Sequence, residues 1–283
     1  MTDSLTIAVI ASGDMGAAVG RRLAERGAQV LTSLEGRSDA SRVRATAAGM
    51  ADADEAAIAA ADMILSIVPP ADALALAQRL APALAAAPSK PLYVDCNAVS
   101  PATVMRIAEA VAQTGTPFVD AGIIGNPPKP QGYTPVIYAS GPDAGRFAAL
   151  NALGLDIRVM DRAVGQASAL KMCYAGLTKG LHAVGVSVML GALEAGVAVP
   201  LLDEVAASQP ELLAYFTART PGVFAKAYRW VAEMQEIGAF LGGGGAVLYD
   251  GAARQFERLA ADHAGQRADE AALLEVLRRS DGV

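Results

Sequence analysis

The chain has 283 residues, 53% hydrophobic and 18% charged, and 23 Lys and Arg against 29 Asp and Glu leave a net charge of −6. That composition supports a large core and excludes a disordered chain. The acidic balance argues against nucleic-acid binding, which requires clustered positive charge. With two cysteines, Cys96 and Cys173, and no second Cys or His at ligand spacing, a disulfide framework and a zinc site are both ruled out, so a reduced, cytoplasmic setting and no metal are expected. The first five residues lack the basic and apolar regions of a signal peptide. Leu181–Leu202 comes nearest to a membrane segment, but His182, Glu194 and Pro200 interrupt it, and a buried helix is the expectation.

Leu5–Ala11 is a β-branched apolar run, punctuated afterwards by Gly13 and Gly16 before a helical pattern over Ala17–Arg26, which reads as strand, tight turn and helix. Gly27 ends that helix and Gln29–Leu34 supplies a second strand, closing a βαβ unit of about 30 residues. The alternation continues with a helix at Asp54–Ala61, a strand at Met63–Val68 stopped by Pro69 and Pro70, and a helix from Asp72 to Leu84. Next come a strand at Leu92–Asp95, a helix at Pro101–Gln113, and strands at Phe118–Asp120 and Val136–Ser140. Strands alternating with helices predict an α/β fold, a mostly parallel, doubly wound sheet. From Gly165 onward the pattern is helical: Gln166–Gly196, Pro200–Thr217, Gly222–Leu241, Gly245–Asp262 and Asp269–Arg278, with Gly242–Gly245 read as a turn. The domain boundary is placed near residue 163, giving a nucleotide-binding domain over 1–163 and an all-helical domain over 164–283.

Ala11-Ser-Gly-Asp-Met-Gly16 is a G-x-G-x-x-G pattern with Ala first, set between a strand and a helix inside a βαβ unit, the context that makes it a dinucleotide signature. Ser12, Gly13, Asp14, Met15 and Gly16 are therefore assigned to the cofactor, whose pyrophosphate would sit on the helix N-terminus. At the end of the second strand NAD folds usually carry an acid for the ribose 2′-OH. Here Leu34 takes that position, with Glu35 next and Arg37 and Ser38 in the turn; the last two suit a 2′-phosphate, so NADP(H) is favoured over NAD(H). Val68, Pro69 and Asn97 complete the expected cofactor contacts.

Ser168, Lys171, Tyr174, Thr178 and His182 recur at three- and four-residue steps, which places a polar stripe on one face of an apolar helix. Such a stripe meets either solvent or a polar cleft. Lys171 can donate a proton or hydrogen bond to a substrate oxygen or nitrogen.

Gly13-Asp-Met-Gly16, Val94-Asp-Cys-Asn-Ala-Val-Ser-Pro101, Phe118-Val-Asp-Ala-Gly122 and Gly165–Lys171 together resemble the β-hydroxyacid dehydrogenase superfamily, which includes 6-phosphogluconate and 3-hydroxyisobutyrate dehydrogenases and is related to imine reductases. The resemblance spans both domains. It implies a Rossmann domain, a helical second domain opened by a long helix, an NAD(P)H cofactor, and a lysine acting on the reacting oxygen of the substrate, a role that transfers to Lys171. The departures mark a divergent branch. Asn97-Ala98 stand where the family has a Ser-Thr pair, Ile124-Gly125-Asn126 where it has Ser-Gly-Gly, and Tyr174-Ala175 where it places Asn or His-Asn. The helix over Gly222–Leu241 lacks the family's Lys-Asp pair. Tyr174 would replace the family's Asn as a second catalytic donor, and Asn97, Gly125, Asn126, Lys171, Tyr174 and Thr178 form the expected substrate set.

Elsewhere, His263 is read as exposed and incidental, Cys173 as a packed core residue, Tyr228 and Trp230 as packing residues, Glu233 as part of a solvated face, and Asp95 and Asp120 as caps or turns. Three functions remain open: a dehydrogenase acting on C–OH/C=O carbons of a small molecule, a C=N reductase, and a non-catalytic dinucleotide-binding protein. A homodimer through the helical domain is expected, because a small domain cannot bury the Gln166–Gly196 helix alone; neither a membrane nor a nucleic acid is expected as partner.

Overall fold

The computed structural model describes residues 4–160 and 163–280. The chain forms two compact units, Met1–Met172 and Cys173–Val283. In the first, β1 (Thr6–Ile10), α1 (Asp14–Glu25), β2 (Gln29–Thr32), α2 (Asp39–Ala47), β3 (Met50–Asp52), α3 (Glu55–Ala59) and β4 (Met63–Ser66) are followed by α4 (Ala73–Ala86), β5 (Leu92–Asp95), α5 (Pro101–Ala112) and β6 (Phe118–Ile124). β7 (Val136–Ser140), α6 (Ala144–Ala148), β8 (Asp156–Val159) and the start of α7 (Gln166–Ala175) complete it. The strands make one eight-stranded sheet in the order β3-β2-β1-β4-β5-β6-β7-β8. Every neighbouring pair is parallel except the antiparallel β6–β7 pair. The order reverses between β1 and β4, the topological switch point at which doubly wound folds bind ligands beyond their strand ends.

Parallel strands covered on both faces must be apolar throughout, which is why β1 and β4 read as continuous hydrophobic runs. Alternate residues of the sheet feed two cores. Ile7, Val9, Leu65 and Val119 pack with Val19, Leu23 and Phe147 on one side, and Ala8, Ile10, Ile64 and Tyr93 pack with Leu76, Leu80, Ile107 and Val111 on the other. Sequence pattern alone misses α2, β3, α6 and β8. α2 is a polar helix started by Ser38, whose side chain accepts from Ser41 N, and β3 has only 3 residues, so neither leaves a periodic signature. β6 runs on past Asp120 to Ile124, because β7 pairs with it over Asp120–Ile124.

The second unit contains α8 (Leu181–Glu194), α9 (Ala198–Ser208), α10 (Pro210–Arg219), α11 (Ala227–Leu241), α12 (Gly243–Ala264) and α13 (Ala268–Ser280). The expected single helix over Pro200–Thr217 is two, since Pro210 has no N–H to continue α9 and instead opens α10. Gly242–Gly245 is not a loop. Gly242, at φ 64, makes the corner, and α12 begins at Gly243. The helix expected over Gly222–Leu241 starts only at Ala227, after two 3-10 turns.

The long helix of the sequence analysis is α7 and α8 joined by a π-turn at Gly176–Gly180. The hydroxyl of Tyr249 on α12 lies 2.9 Å from where a Cβ at Gly176 or at Gly180 would stand, so only glycines let that ring approach. The Leu181–Leu202 segment is not simply buried either: Leu181, Val184 and Val188 are exposed on α8, continuing an apolar stripe from Leu177, which is 77% exposed. Gln166–Glu194 is long and apolar enough to cross a membrane, while His182, Ala183, Val186, Met189 and Leu190 on its other faces are packed. The compact units divide inside α7, further along than the expected boundary near 163, because the first turn of α7 is tied to the sheet.

Candidate functional site

The turn between β1 and α1 carries the first group. Gly13 is the N-cap of α1 and has nothing within 4 Å of the place its Cβ would occupy, so the approach to the free N–H groups of the first helical turn is open. Gly16 is the opposite case: a Cβ there would overlap the Ala11 carbonyl oxygen, and glycine is what lets helix and strand pack this closely. An open space over unpaired amides at a helix start fits a pyrophosphate, whose charge those amides and the helix dipole would stabilise. Ser12 is buried and its hydroxyl donates to Ser41 O at 3.1 Å, so it presents backbone rather than side chain. Asp14 is exposed and lies 4.0 Å from Arg44, and Met15 is half-buried.

The β2–α2 connection forms the second group. Leu34 is buried at the position expected for an acid, and its N–H donates to Asp52 Oδ1 at 2.8 Å. Glu35 is exposed, Gly36 turns the chain at φ 66, Arg37 is half-buried and Ser38 caps α2. Two arginines that sequence reasoning passed over join them. Arg42 donates to Leu34 O at 2.6 Å and Arg37 O at 3.2 Å, and Arg44 donates to Ser12 O at 3.1 Å and Ser41 Oγ at 3.0 Å. Their signal was a basic segment, Arg42 and Arg44 beside Ser41, directly after the turn.

At the ends of β4 and β5 lies Asn97, expected to contact the ligands. Its side chain is buried and committed internally, accepting from Val68 N at 2.7 Å and donating to Ser66 Oγ at 2.8 Å and Asp95 Oδ1 at 2.5 Å. Asp95 Oδ1 also accepts from Asn97 N at 2.9 Å, an Asx-type turn. Burial pushes Asp95 up to about 7; the Asn97 N–H opposes that shift and the Asp120 carboxylate adds to it. Its Oδ2 has no hydrogen-bond partner among the described residues.

Asp120, beside Asp95 in the sheet register, does far more than end a strand. Its Oδ2 accepts from Ser140 Oγ at 2.9 Å, Gly165 N at 2.9 Å and Ser168 N at 3.1 Å, and its Oδ1 accepts from Ser168 Oγ at 2.6 Å. Ser140 Oγ in turn accepts from Ala167 N at 3.1 Å. The carboxylate thus caps the N-terminus of α7, where its charge also complements the helix dipole. One turn later Lys171, half-buried, lies over Gly122 of β6; a Cβ at Gly122 would stand 3.0 Å from Lys171 Cβ and 3.0 Å from Ala167 O. Past β6, Gly125 has φ 135 and Asn126 N donates to the Tyr133 hydroxyl at 3.1 Å; both residues are exposed. Buried Arg22 of α1 holds this loop by donating to Lys129 O at 2.6 Å and Thr134 Oγ1 at 2.7 Å.

The five-residue polar stripe does not survive as one face. Ser168 is buried on Asp120, Tyr174 is 48% exposed and His182 is buried. The π-turn takes an extra residue per turn and rotates everything after Ala175 out of the 3.6-residue phase. Thr178 donates its hydroxyl back to Tyr174 O at 2.9 Å. In the second unit His182 stacks on Tyr215 and Trp230, with centroids 5.1 and 6.2 Å apart, and burial, then the charge of Arg219, lowers it to about 4. Glu233 is buried and ion-paired with Lys179, not solvated, and Lys179 sits 5.4 Å over the Trp230 ring. Cys173 is exposed rather than packed, and Tyr228 is exposed while Trp230 packs edge-on to Phe256. His263 is held 2.7 Å from Glu270, tying α12 to α13.

A switch-point sheet, an open glycine turn on a helix start and a helical second unit define an NAD(P)-binding Rossmann protein. More narrowly, the chain belongs to the family of the NAD binding domain of 6-phosphogluconate dehydrogenase, which matches residues 6–155, while residues 192–259 match a domain of unknown function (DUF1932). An uncharacterized 28.5 kDa protein of Methanothermus fervidus is 30% identical over 181 residues, 64% of this chain and 68% of its own length. The conserved protein MTH1747, of unknown function and described as structurally similar to 3-hydroxyacid dehydrogenases, is 30% identical with a TM-score of 0.68, covering 91% of this chain and 97% of that one. Mycobacterium tuberculosis 3-hydroxyisobutyrate dehydrogenase shares the fold at 20% identity and a TM-score of 0.69 over 97% and 99% of the two chains. The V8 variant of an imine reductase from Myxococcus stipitatus, in complex with NAD+, does so at 17% identity and a TM-score of 0.54 over 100% and 94%.

Proposed function

We propose that this protein is an NADP(H)-dependent oxidoreductase acting on a C–OH/C=O carbon of a small molecule, with Lys171 as the proton donor in reduction and acceptor in oxidation. A bound nicotinamide would supply or take up the hydride. The observation that carries the reading is the anchoring of α7: Asp120 and Ser140 cap its first turn, so Lys171 is held over Gly122 near the carboxyl end of β6. A half-buried lysine whose Cβ is held at that edge can bring its ammonium to an oxygen acquiring negative charge and hand it a proton. Tyr174, exposed three residues on in the same helix, is the expected second donor. Support for NADP(H) comes from Leu34 in place of an acid and from Arg37, Arg42 and Arg44 gathered around Ser38 and Ser41. Reduction of C=N bonds is the second reading. It is favoured by the internal commitment of Asn97, which leaves fewer groups to hold a substrate carboxylate.

The test is turnover of aldehydes, ketones, hydroxyacids and cyclic imines with each cofactor, beside cofactor titrations. Arg37→Ala is expected to weaken NADPH binding about tenfold and leave NADH binding nearly unchanged. Tighter binding of NADH by the unaltered chain would remove the NADP(H) assignment, and cofactor binding with no turnover of any substrate would overturn the catalytic reading in favour of a binding protein. For the exposed stripe of Leu177, Leu181, Val184 and Val188 the proposed partner is a second copy of this chain. Light scattering is expected to return twice the 28.8 kDa chain mass; a monomeric mass would refute the dimer.

A further inference from the structure

We propose that Asn97, braced by Asp95 and Ser66, is a positioning residue for the nicotinamide half of the dinucleotide site: it fixes the Val68–Pro69 segment and acts without touching the cofactor. This rests on the dinucleotide reading of the first unit.

The argument starts from donors. β4 ends at Ser66, and after Ile67 and Val68 the chain meets Pro69 and Pro70, neither of which has an N–H. Val68 N–H is the last amide donor before the turn into α4, and it donates to Asn97 Oδ1 at 2.7 Å, beyond the end of the neighbouring strand. The other end of the Asn97 amide is equally tied, to Ser66 Oγ at 2.8 Å and Asp95 Oδ1 at 2.5 Å, while Cys96 N donates to Ser66 O at 2.9 Å. One buried side chain therefore joins the carboxyl ends of β4 and β5.

The placement gives this strut its function. A dinucleotide lies across the carboxyl edge of such a sheet, one mononucleotide on each side of the switch point. Gly13, Gly16 and the Arg37 turn occupy the β1–β2 side and serve the pyrophosphate and the adenosine half. The β4–β5 side is left for the nicotinamide half, and Val68 and Pro69 are its rim. Releasing Asn97 frees that rim and leaves the adenosine side as it was, so the two halves of the ligand should report differently.

Calorimetric titration of the unaltered chain and Asn97→Ala with NADP+ and with 2′,5′-ADP, the fragment lacking the nicotinamide half, separates the two. The variant is expected to lose about tenfold in NADP+ affinity and less than about twofold for 2′,5′-ADP, in keeping with one removed hydrogen-bonding group. An equal loss for both ligands, or a loss for neither, overturns the inference. If Asn97→Ala does not fold, Ser66→Ala decides, since it removes one brace while leaving Val68 N paired; the same selectivity, smaller in size, is expected, and a parallel loss for both ligands rejects the strut. Failure of the unaltered chain to bind NADP+, NAD+ and 2′,5′-ADP alike would instead overturn the dinucleotide reading itself.

Discussion

Gly16→Ala is expected to lower the affinity for NADP(H) by roughly 10- to 100-fold and to cost about 1–3 kcal/mol of stability, the range for forcing a methyl into a packed contact. The added Cβ would overlap the Ala11 carbonyl oxygen, with Ala11 C at 3.0 Å and Val9 Cγ1 at 3.6 Å. Two of these atoms are backbone, so relief requires the whole strand-to-helix turn to shift, and with it the amides that face the pyrophosphate. Gly13→Ala is the informative partner. Its Cβ meets nothing within 4 Å and its φ of −67 suits any residue, so the one stability cost expected is that of a poorer N-cap, about 0.5–1 kcal/mol. The methyl would nonetheless stand in the open space assigned to the phosphates. Fluorescence titration with NADPH should find both variants weakened, with Gly16→Ala melting the earlier of the two; full affinity in Gly13→Ala would show that the phosphates do not lie there.

Lys171→Met is expected to reduce turnover about 10²- to 10⁴-fold, the span attributed to a positioned general acid or base, with cofactor affinity nearly intact. Methionine keeps the stem that packs over Gly122 and removes the ammonium. Lys171→Arg sharpens the result, because a guanidinium keeps the positive charge and does not give up its proton near neutrality. If Lys171 moves a proton, Arg should be about as inactive as Met. If it only stabilises charge, Arg should retain much of the rate, and the proton-transfer assignment fails. Turnover unchanged in Lys171→Met would dismiss the lysine altogether.

Much of the first unit was legible because its signals are local. The β-branched runs of β1 and β4, the glycines at 13 and 16 and the prolines at 69 and 70 each announce their geometry within a few residues. The polar stripe failed for the complementary reason: two three-residue steps in a 3.6-residue helix already carry Tyr174 off the face of Ser168, and the π-turn at Gly176–Gly180 breaks the phase for everything beyond. Cys173 and Glu233 were misplaced for want of long-range information. The partners of Asp120 lie 20, 45 and 48 residues further on, and no pattern within a window of helix or strand length connects them. Asn97 was expected to face cofactor and substrate; that its amide instead meets Val68, Ser66 and Asp95 depends on two strand ends brought together.

The position of Lys171 is referenced to Asp120 directly, and not through the chain that joins them. β7, α6 and β8 lie on that intervening path, yet the bonds that fix the start of α7 run from β6 and from the single hydroxyl of Ser140. The exposed residues of that path, around α6 and its following turn, can therefore be redecorated without moving the lysine, while Ala144, Phe147 and Leu150 stay committed to the core. Variation there is free to serve other ends, such as new surfaces or altered solubility. Change at Asp120, Ser140, Gly122 or Ser168 has no such latitude, and sequences that keep the lysine should vary these four together or not at all.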